Sequence, residues 1–338
     1  MENRRSLAAE VEGEVESLVG EWTKAMKAWK AIELAKTVKG EIRRSVPMAQ
    51  HTSFAVGGEV DLFSLPEDLE DLRAIVRWCR ESGVAYFVLG NGTNLLVRDG
   101  GIRAMAISLA RGFCRIAELA CRSEGSMVFA EAGQSLGALV QFATEKGLSG
   151  LEWAAGIPGT VGGALFMNAG AFGGEMKDLV HSIRILDQEG NLAEWSGGSI
   201  RFGYRRMDLP EGGVILSGTF RLQAESSRGV KSRVQEILRR RMDKQPAHLP
   251  SAGSIFKNPQ GLAAGRLIEE SGLKGSRIGN AQVSEKHANF IVNLGGASAR
   301  DISGLIAHVQ GRVLQEKGIR LEMEIQVIGE EEGGADGR

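Results

Sequence analysis

The chain has 338 residues, of which 43% are hydrophobic and 25% charged, with a net charge of −1. That length supplies apolar material for two or three domains, and the near-neutral balance argues against a nucleic-acid partner or a basic membrane patch. Three cysteines without a CxxC pair and five histidines without an HExxH spacing argue against a disulfide framework or a metal site and for a reducing cytoplasm. No apolar run reaches the ~18 residues of a membrane span, and no apolar block follows Arg4 and Arg5, so neither a transmembrane helix nor a secretory signal is expected. Glycine is the outlier at 46 residues, about twice the ~7% average. Scattered through apolar sequence, these glycines predict tight turns and close backbone approaches.

Residues 6–40 read as a helix, because Val11, Val15, Leu18, Trp22, Met26 and Trp29 form one apolar stripe. The stripe suits packing on its own domain, or a partner or dimer helix. From Val46 the texture changes. His51–Phe63 reads as a turn and a strand, and Leu69, Leu72, Ile75, Val76 and Cys79 mark a helix with Pro66 and Glu67 at its start. Val84–Leu89 is a buried strand, followed by the loop Gly90–Asn94 and a resumed strand at Leu95–Val97. Ala104–Leu109 and Met127–Ala132 are further strands, and Leu136–Lys146 is a helix stopped by Gly147. A glycine-rich stretch runs from Ala154 to Glu175. Val180–Asp187 and Asn191–Trp195 form a hairpin around Glu189-Gly190. Phe202–Arg206 and Val214–Leu222 continue the β character. Ser226–Val230 reads as a linker, Lys231–Lys244 as a basic helix carrying Arg239, Arg240 and Arg241, and Ala263–Ser271 as a helix. Asn289–Asn293 is a strand, Ala299–Lys317 the last long helix, Arg320–Ile328 a final alternating strand, and the acidic, glycine-rich tail from Gly329 is expected to be disordered. The pattern is α+β.

Two loops invite a phosphate reading, because glycines let successive backbone N–H groups approach a diphosphate. Gly90-Asn91-Gly92-Thr93-Asn94-Leu95 lacks the third glycine of GxGxxG, has Leu109-Ala110-Arg111 where an acidic residue is needed, and leads into a strand. The Rossmann reading therefore fails. No GxxxxGK[ST] is present either. The second loop, Gly156–Gly163, begins about 65 residues later. Together with Asn168-Ala169-Gly170 the two loops predict one extended diphosphate ligand held by backbone donors. A third segment, Pro250-Ser251-Ala252-Gly253-Ser254-Ile255-Phe256-Lys257-Asn258-Pro259, places a hydroxyl, an ammonium and an amide within five residues, as a turn presenting polar groups to one space would.

At His51-Thr52-Ser53-Phe54, Leu89–Asn94, Gly156–Asn168, Tyr204-Arg205, Gly253–Pro259, Ala264–Glu269, Lys286–Phe290 and Leu321–Glu324 the chain resembles the UDP-N-acetylenolpyruvoylglucosamine reductases, flavoenzymes of bacterial peptidoglycan precursor synthesis. The segments run in family order over about residues 45–328. The resemblance implies an FAD-binding fold of the vanillyl-alcohol oxidase type in two subdomains, followed by a C-terminal α+β substrate domain. The corresponding division is an N-terminal helical extension (1–40), an FAD-binding domain (41–223), a substrate domain (224–330) and a tail (331–338). It implies noncovalent FAD, NADPH as hydride donor, a nucleotide-sugar substrate and a cytoplasmic location. Carried over residue by residue, FAD falls to Thr52, Leu89, Gly90, Asn91, Gly92, Thr93, Asn94, Gly133, Gly156, Thr160, Val161, Gly162, Gly163, Asn168 and Gly170. Substrate binding falls to Tyr204, Lys257, Asn258 and His287, and catalysis to Ser254, Arg205 and Glu322, with Ser254 matching the family's proton donor. The spacing around Lys286–Phe290 looks like the shorter form of the family.

Two positions depart from the pattern. Ala55 stands where the family usually carries an arginine, and Glu59 where it carries proline. The expectation is either a weaker hold on FAD or compensation by Arg98 or Arg103 near the flavin phosphates. On chemical grounds Arg205 suits a carboxylate on which charge builds, since its fork binds bidentately and stays charged. Glu322 serves if burial raises its pKa. Two other readings share parts of this pattern. Another flavin oxidase or dehydrogenase of the same fold shares the glycine loops without needing Tyr204-Arg205, Ser254 and Glu322 together. A non-catalytic flavin or nucleotide-sugar regulator would use the N-terminal helix as its interaction element.

Overall fold

The computed structural model describes residues 31–122, 125–246 and 248–332. The apolar stripe Val11–Trp29 lies outside them. Residues 31–37 are helical, and Ala31, Leu34 and Val38 are buried in the largest core together with Leu72, Ile75 and Val76. The architecture is α+β, as the sequence pattern predicts.

The first sheet has four strands in the spatial order Glu41–Pro47, Glu59–Leu65, Ile102–Ser108, Tyr86–Leu89, with the first pair antiparallel and the others parallel. Helix Leu69–Ser82 lies between the second and fourth of these. Asp68, rather than Pro66 or Glu67, starts it: its carboxylate accepts the Asp71 amide at 3.0 Å, satisfying one of the amides that a helix N-terminus leaves unbonded. Leu72, Ile75, Val76 and Cys79 are all fully buried, the helical spacing read from sequence. Burial pushes the Cys79 thiol up to about 12, so it is a core residue rather than a reactive one.

The second sheet is antiparallel, in the order Leu192–Ser196, Val180–Leu186, Val214–Ala224, Gly125–Glu131, Ile116–Arg122. The last of these was not foreseen: its charged and small residues carry little strand signal, and pairing with Gly125–Glu131 makes it a strand. Helix Leu136–Lys146 has the predicted limits, with Ser135 accepting the Ala138 amide at its start and Gly147 left-handed at its end. Ser226–Val230 is not a linker. Ser226 caps a helix spanning Ser227–Lys244 by accepting the Gly229 amide, a cap signal hidden in a polar stretch. This helix packs on helix Leu136–Lys146 and on the turn Glu152–Ala154, so in packing terms it belongs with the larger core. A boundary at 224 falls too early.

The C-terminal core begins at Ala252 and gathers helices Ala264–Glu270 and Ala299–Lys317 around three short antiparallel strands, Arg277–Ile278, Ala281–Val283 and Ile291–Asn293. Phe54, Val56 and Leu96 from the first part are buried in the same cluster. The predicted strand Arg320–Ile328 is a strand only at Gln326–Ile328, which pairs in parallel with Leu95–Val97 of the first part. Upstream, single bridges Ser254↔Phe290 and Phe256↔Met323 tie the segments together. The described part of the tail is ordered: Glu330 bonds backbone to backbone with Gly101, Arg103 pairs with Glu330, and Arg98 pairs with Glu331. Among the described residues no helix is long and apolar enough to cross a membrane.

Candidate active site

Where the first part meets the C-terminal core, the two glycine loops face each other. The Thr93 hydroxyl donates to the Pro158 carbonyl at 3.3 Å, and a Cβ on Gly90 would lie 2.9 Å from Thr160 Oγ1. Gly92 has φ 60°, and a Cβ there would sit 2.0 Å from the His51 carbonyl oxygen. Only glycine fits, because both the backbone region and the space exclude a side chain. Thr52 is buried and donates to the Val56 carbonyl at 2.7 Å, while the Ser53 amide donates to the Gly92 carbonyl. The turn 52–56 thereby braces the loop that follows Leu89.

In the second loop Val161 and Gly162 give their amides to the carbonyls of Gln134 and Ala132, and Gly163 gives its amide to Thr160 Oγ1 at 3.2 Å. These three fix the turn holding Gly133, while the amides of Gly156, Gly159 and Thr160 donate to no acceptor among the described residues. In the first loop the amides of Asn91, Gly92, Thr93 and Asn94 donate to no acceptor among the described residues.

Asn168 and Gly170 depart from expectation. Asn168 is 1% exposed with every side-chain atom engaged: Nδ2 donates to Glu175 Oε2 at 2.7 Å and to the Gly203 carbonyl at 3.0 Å, and Oδ1 accepts the Lys177 amide at 3.0 Å. Both Nδ2 hydrogens are taken up within the protein, and Oδ1 already accepts one backbone amide. A Cβ on Gly170 would stand 3.2 Å from Arg205 Nη1, so Gly170 is the floor beneath a guanidinium.

Tyr204-Arg205 is the two-residue turn between the paired strands Phe202–Gly203 and Arg206–Met207. Arg205 takes φ 57°, a left-handed conformation costing a side-chain-bearing residue about 1–2 kcal/mol. Its Nε donates to Glu324 Oε1 at 2.8 Å, with both side chains mostly shielded, and its guanidinium lies 5.1 Å from the Tyr204 ring. The carboxylate facing Arg205 is therefore Glu324. Glu322, expected in this place, is 76% exposed and lies 3.6 Å from Lys257 Nζ. Burial pushes the Glu324 carboxyl above its ordinary value, against the opposing pull of Arg205 and Lys257. Asn94 connects this pair to the first loop: its Nδ2 donates to the Glu324 carbonyl at 3.1 Å, and its own carbonyl accepts the Gln326 amide at 3.0 Å.

Ser254 lies beside the same segment. Ile255 accepts the Glu324 amide and Lys257 donates to the Glu322 carbonyl, which sets the two chains in antiparallel register. Asn258 Oδ1 accepts the Ala264 amide at 3.0 Å, starting the next helix. Tyr204 and Asn258 line one open cleft of about 1020 Å³ with Leu262, Arg266 and Glu270. His287 is not among its lining residues. Its Nδ1 accepts the Asn289 amide at 3.3 Å, its ring meets Phe290 edge-on, and burial pushes its pKa down; these are the marks of a neutral turn histidine.

Arg241, which the sequence presents only as part of a basic helix, has Nε and Nη2 buried without an acceptor, its guanidinium lies 5.3 Å from the Phe172 ring, and its Cδ would be 3.0 Å from a Cβ on Gly156. Burial pushes its pKa down. A cation with two buried, idle donors beside a glycine loop fits an electron-rich cofactor with a diphosphate. Helical spacing alone gives no signal for this, since Arg239 and Arg240 share the same run. Arg103 is paired with Asp61 and Glu330, and Arg98 Nε stands 3.2 Å from Glu331 Oε1 without making a hydrogen bond.

The fold and these loops define an FAD-dependent oxidoreductase, and residues 60–196 match the model of the FAD binding domain. Residues 245–328 match that of the UDP-N-acetylenolpyruvoylglucosamine reductase C-terminal domain. The reductase of that name from Syntrophus aciditrophicus is 44% identical over 300 residues, covering 88% of this chain and 96% of the relative. Its counterpart from Geobacter metallireducens is 45% identical over 298 residues, covering 88% and 97%. The crystal structure of the reductase from Thermus caldophilus superposes with a TM-score of 0.73 at 38% identity, covering 85% of this chain and 99% of that one. The chain belongs to the UDP-N-acetylenolpyruvoylglucosamine reductase family, whose reaction serves peptidoglycan synthesis.

Proposed function

We propose that this protein reduces UDP-N-acetylglucosamine enolpyruvate to UDP-N-acetylmuramate at the expense of NADPH. The observation that carries this reading is the Arg205–Glu324 pair, shielded from solvent, tied by Asn94 to the cofactor loop and flanked by the Ser254 segment. FAD, when bound, supplies the relay that takes a hydride from NADPH and delivers it to the terminal carbon of the enolpyruvyl group. The loop amides 91–94 and Arg241 are the groups that would hold it.

The remaining work falls to side chains of this chain. As hydride adds to the terminal carbon, negative charge moves onto the substrate carboxylate. Arg205 is preorganised to bind that charge, because Gly170 beneath it and Glu324 beside it fix its plane before substrate arrives. Glu324, whose carboxyl burial pushes above its ordinary value against the pull of Arg205 and Lys257, holds the Arg205 guanidinium in the direction of that carboxylate. The Ser254 hydroxyl then gives its proton to the neighbouring carbon and regains one from water. Tyr204 and Asn258 line the path of the nucleotide sugar, and Lys257, one residue before Asn258, would offer its ammonium to the diphosphate. Nicotinamide and substrate use one cleft in turn, as a two-step exchange requires.

Anaerobic flavin spectroscopy tests the reading. NADPH is expected to bleach the flavin, and UDP-N-acetylglucosamine enolpyruvate to restore the yellow form rapidly. Bleaching that lasts until air is admitted would assign the chain a different acceptor. FAD that NADPH does not bleach would instead support a binding protein.

A further inference from the structure

Arg205 must present its guanidinium from a two-residue turn in a left-handed conformation, and a turn so short cannot hold itself. The structure provides one fixed point next to it. Asn168 ends the helix Val161–Phe166 with its own left-handed φ of 40°, a conformation asparagine tolerates better than most residues. Its side chain reaches three separate pieces of chain. Nδ2 donates to the carbonyl of Gly203, the residue that opens the Tyr204-Arg205 turn, and to Glu175 Oε2; Oδ1 accepts the Lys177 amide. Glu175 closes the circuit: its strand pairs with Gly170-Ala171, and Gly170 is the surface on which the Arg205 guanidinium lies.

We infer that Asn168, with Glu175, is a positioning group for Arg205 rather than a cofactor ligand. It clamps both the base of the arginine turn and the floor below it. The inference rests on the role proposed for Arg205. The reason for an amide here is donor count. Two acceptors, a carboxylate and a carbonyl, converge on Nδ2 while a backbone amide needs Oδ1, and only asparagine at this reach supplies both ends. Aspartate would set a second carboxylate against Glu175 and leave the Gly203 carbonyl without its donor. Glycine would accept the left-handed backbone and delete the clamp, which makes it the cleaner probe.

The test is a double-mutant cycle read separately in the two half-reactions of the FAD-loaded protein. Asn168→Gly, Asn168→Asp, Arg205→Ala and the double variant Asn168→Gly/Arg205→Ala are compared by stopped flow, with NADPH reduction of the flavin as the internal measure of a folded, loaded site. Asn168→Gly is expected to slow flavin reoxidation by UDP-N-acetylglucosamine enolpyruvate by about 10- to 100-fold, the cost of a misplaced catalytic group, while NADPH reduction stays within about twofold. Asn168→Asp is expected to follow it. In the Arg205→Ala background the same substitution is expected to slow reoxidation by no more than about twofold, because its partner has gone. Equal slowing of both half-reactions, or a full further loss in the Arg205→Ala background, would overturn the inference. Wild-type reoxidation in Arg205→Ala would defeat the underlying reading of Arg205 first, which separates the two failures.

Discussion

Gly92 and Arg205 have almost the same backbone conformation, φ 60° and φ 57°, and serve opposite ends of the site. At Gly92 the loop works through its main chain. A side chain is excluded by the His51 carbonyl, and the neighbouring amides are left without protein acceptors. At Arg205 the same conformation is adopted by a long side chain at a cost of about 1–2 kcal/mol, and what is gained is the direction of a guanidinium. The first region recognises by backbone, which requires glycine at position 92 but no particular side-chain chemistry. The second depends on side chains drawn from four places, Arg205, Glu324, Asn168 and Ser254, and tolerates little change at any of them. Strain persists at the second because hydrogen bonds on both sides hold it.

The sharpest way to break this contrast lies in the side-chain region. Ser254→Ala is expected to slow flavin reoxidation by substrate by about 10²- to 10⁴-fold while NADPH reduction is largely kept; equal loss in both steps would remove Ser254 as proton donor. In the backbone region, Gly92→Ala forces a Cβ against a carbonyl and is expected to weaken FAD binding by about 100-fold or more, with a lowered Tm. Titration of the apoprotein with FAD, followed by flavin fluorescence, reads this directly, and unchanged affinity would mean that the loop does not face the cofactor. Arg241 sharpens the comparison, since it would be the one charged side chain in a region otherwise built of amides. Arg241→Met preserves bulk and removes the idle donors; a loss of about tenfold in FAD affinity is expected, and a lowered flavin reduction potential would accompany it. Affinity and potential both unchanged would return Arg241 to the basic helix.

The smallest effect is on pH dependence. Glu324 has its folded pKa raised above 4.5 by burial, so the folded protein binds that proton more firmly than the unfolded chain. The associated stability is fully present below the unfolded value and is lost as pH rises through the folded one. Relative to Glu324→Gln, the wild type is therefore expected to lose stability as pH rises through the folded pKa, seen as a fall in wild-type Tm measured against the variant. A wild-type Tm that rises against the variant with pH would mean that Arg205 outweighs burial and lowers the pKa.

Several features were legible before any coordinates. Helices Leu136–Lys146 and Ala299–Lys317 have the limits that their apolar spacing and closing glycines predict, because capping and amphipathic periodicity are local. The hairpin across Glu189-Gly190 was visible for the same reason. The Gly90–Asn94 loop and the segment around Ser254 could be picked out by residue type, whereas Tyr204-Arg205 was singled out only by the family resemblance.

Tertiary structure decided the rest. Glu322 and Glu324 lie two residues apart in a stretch that alternates, and nothing local separates them; Arg205 arriving from another part of the chain buries one and leaves the other in solvent. Asn168 has the composition of a loop ligand, but both its side-chain hydrogens and one side of its Oδ1 are engaged by segments that only the fold brings to it. Arg241 is distinguished from Arg239 and Arg240 by Phe172 and Gly156, residues about 70 to 85 positions away in the chain. The sequence by itself determined the α+β pattern, the helix limits, the glycine loops and the residue types of the chemistry, since these follow from spacing and from the conformations each residue permits. Which carboxylate faces the arginine, which amide holds its turn and which cation is left unpaired depend on long-range packing, because burial and hydrogen-bond partnership belong to the space between segments.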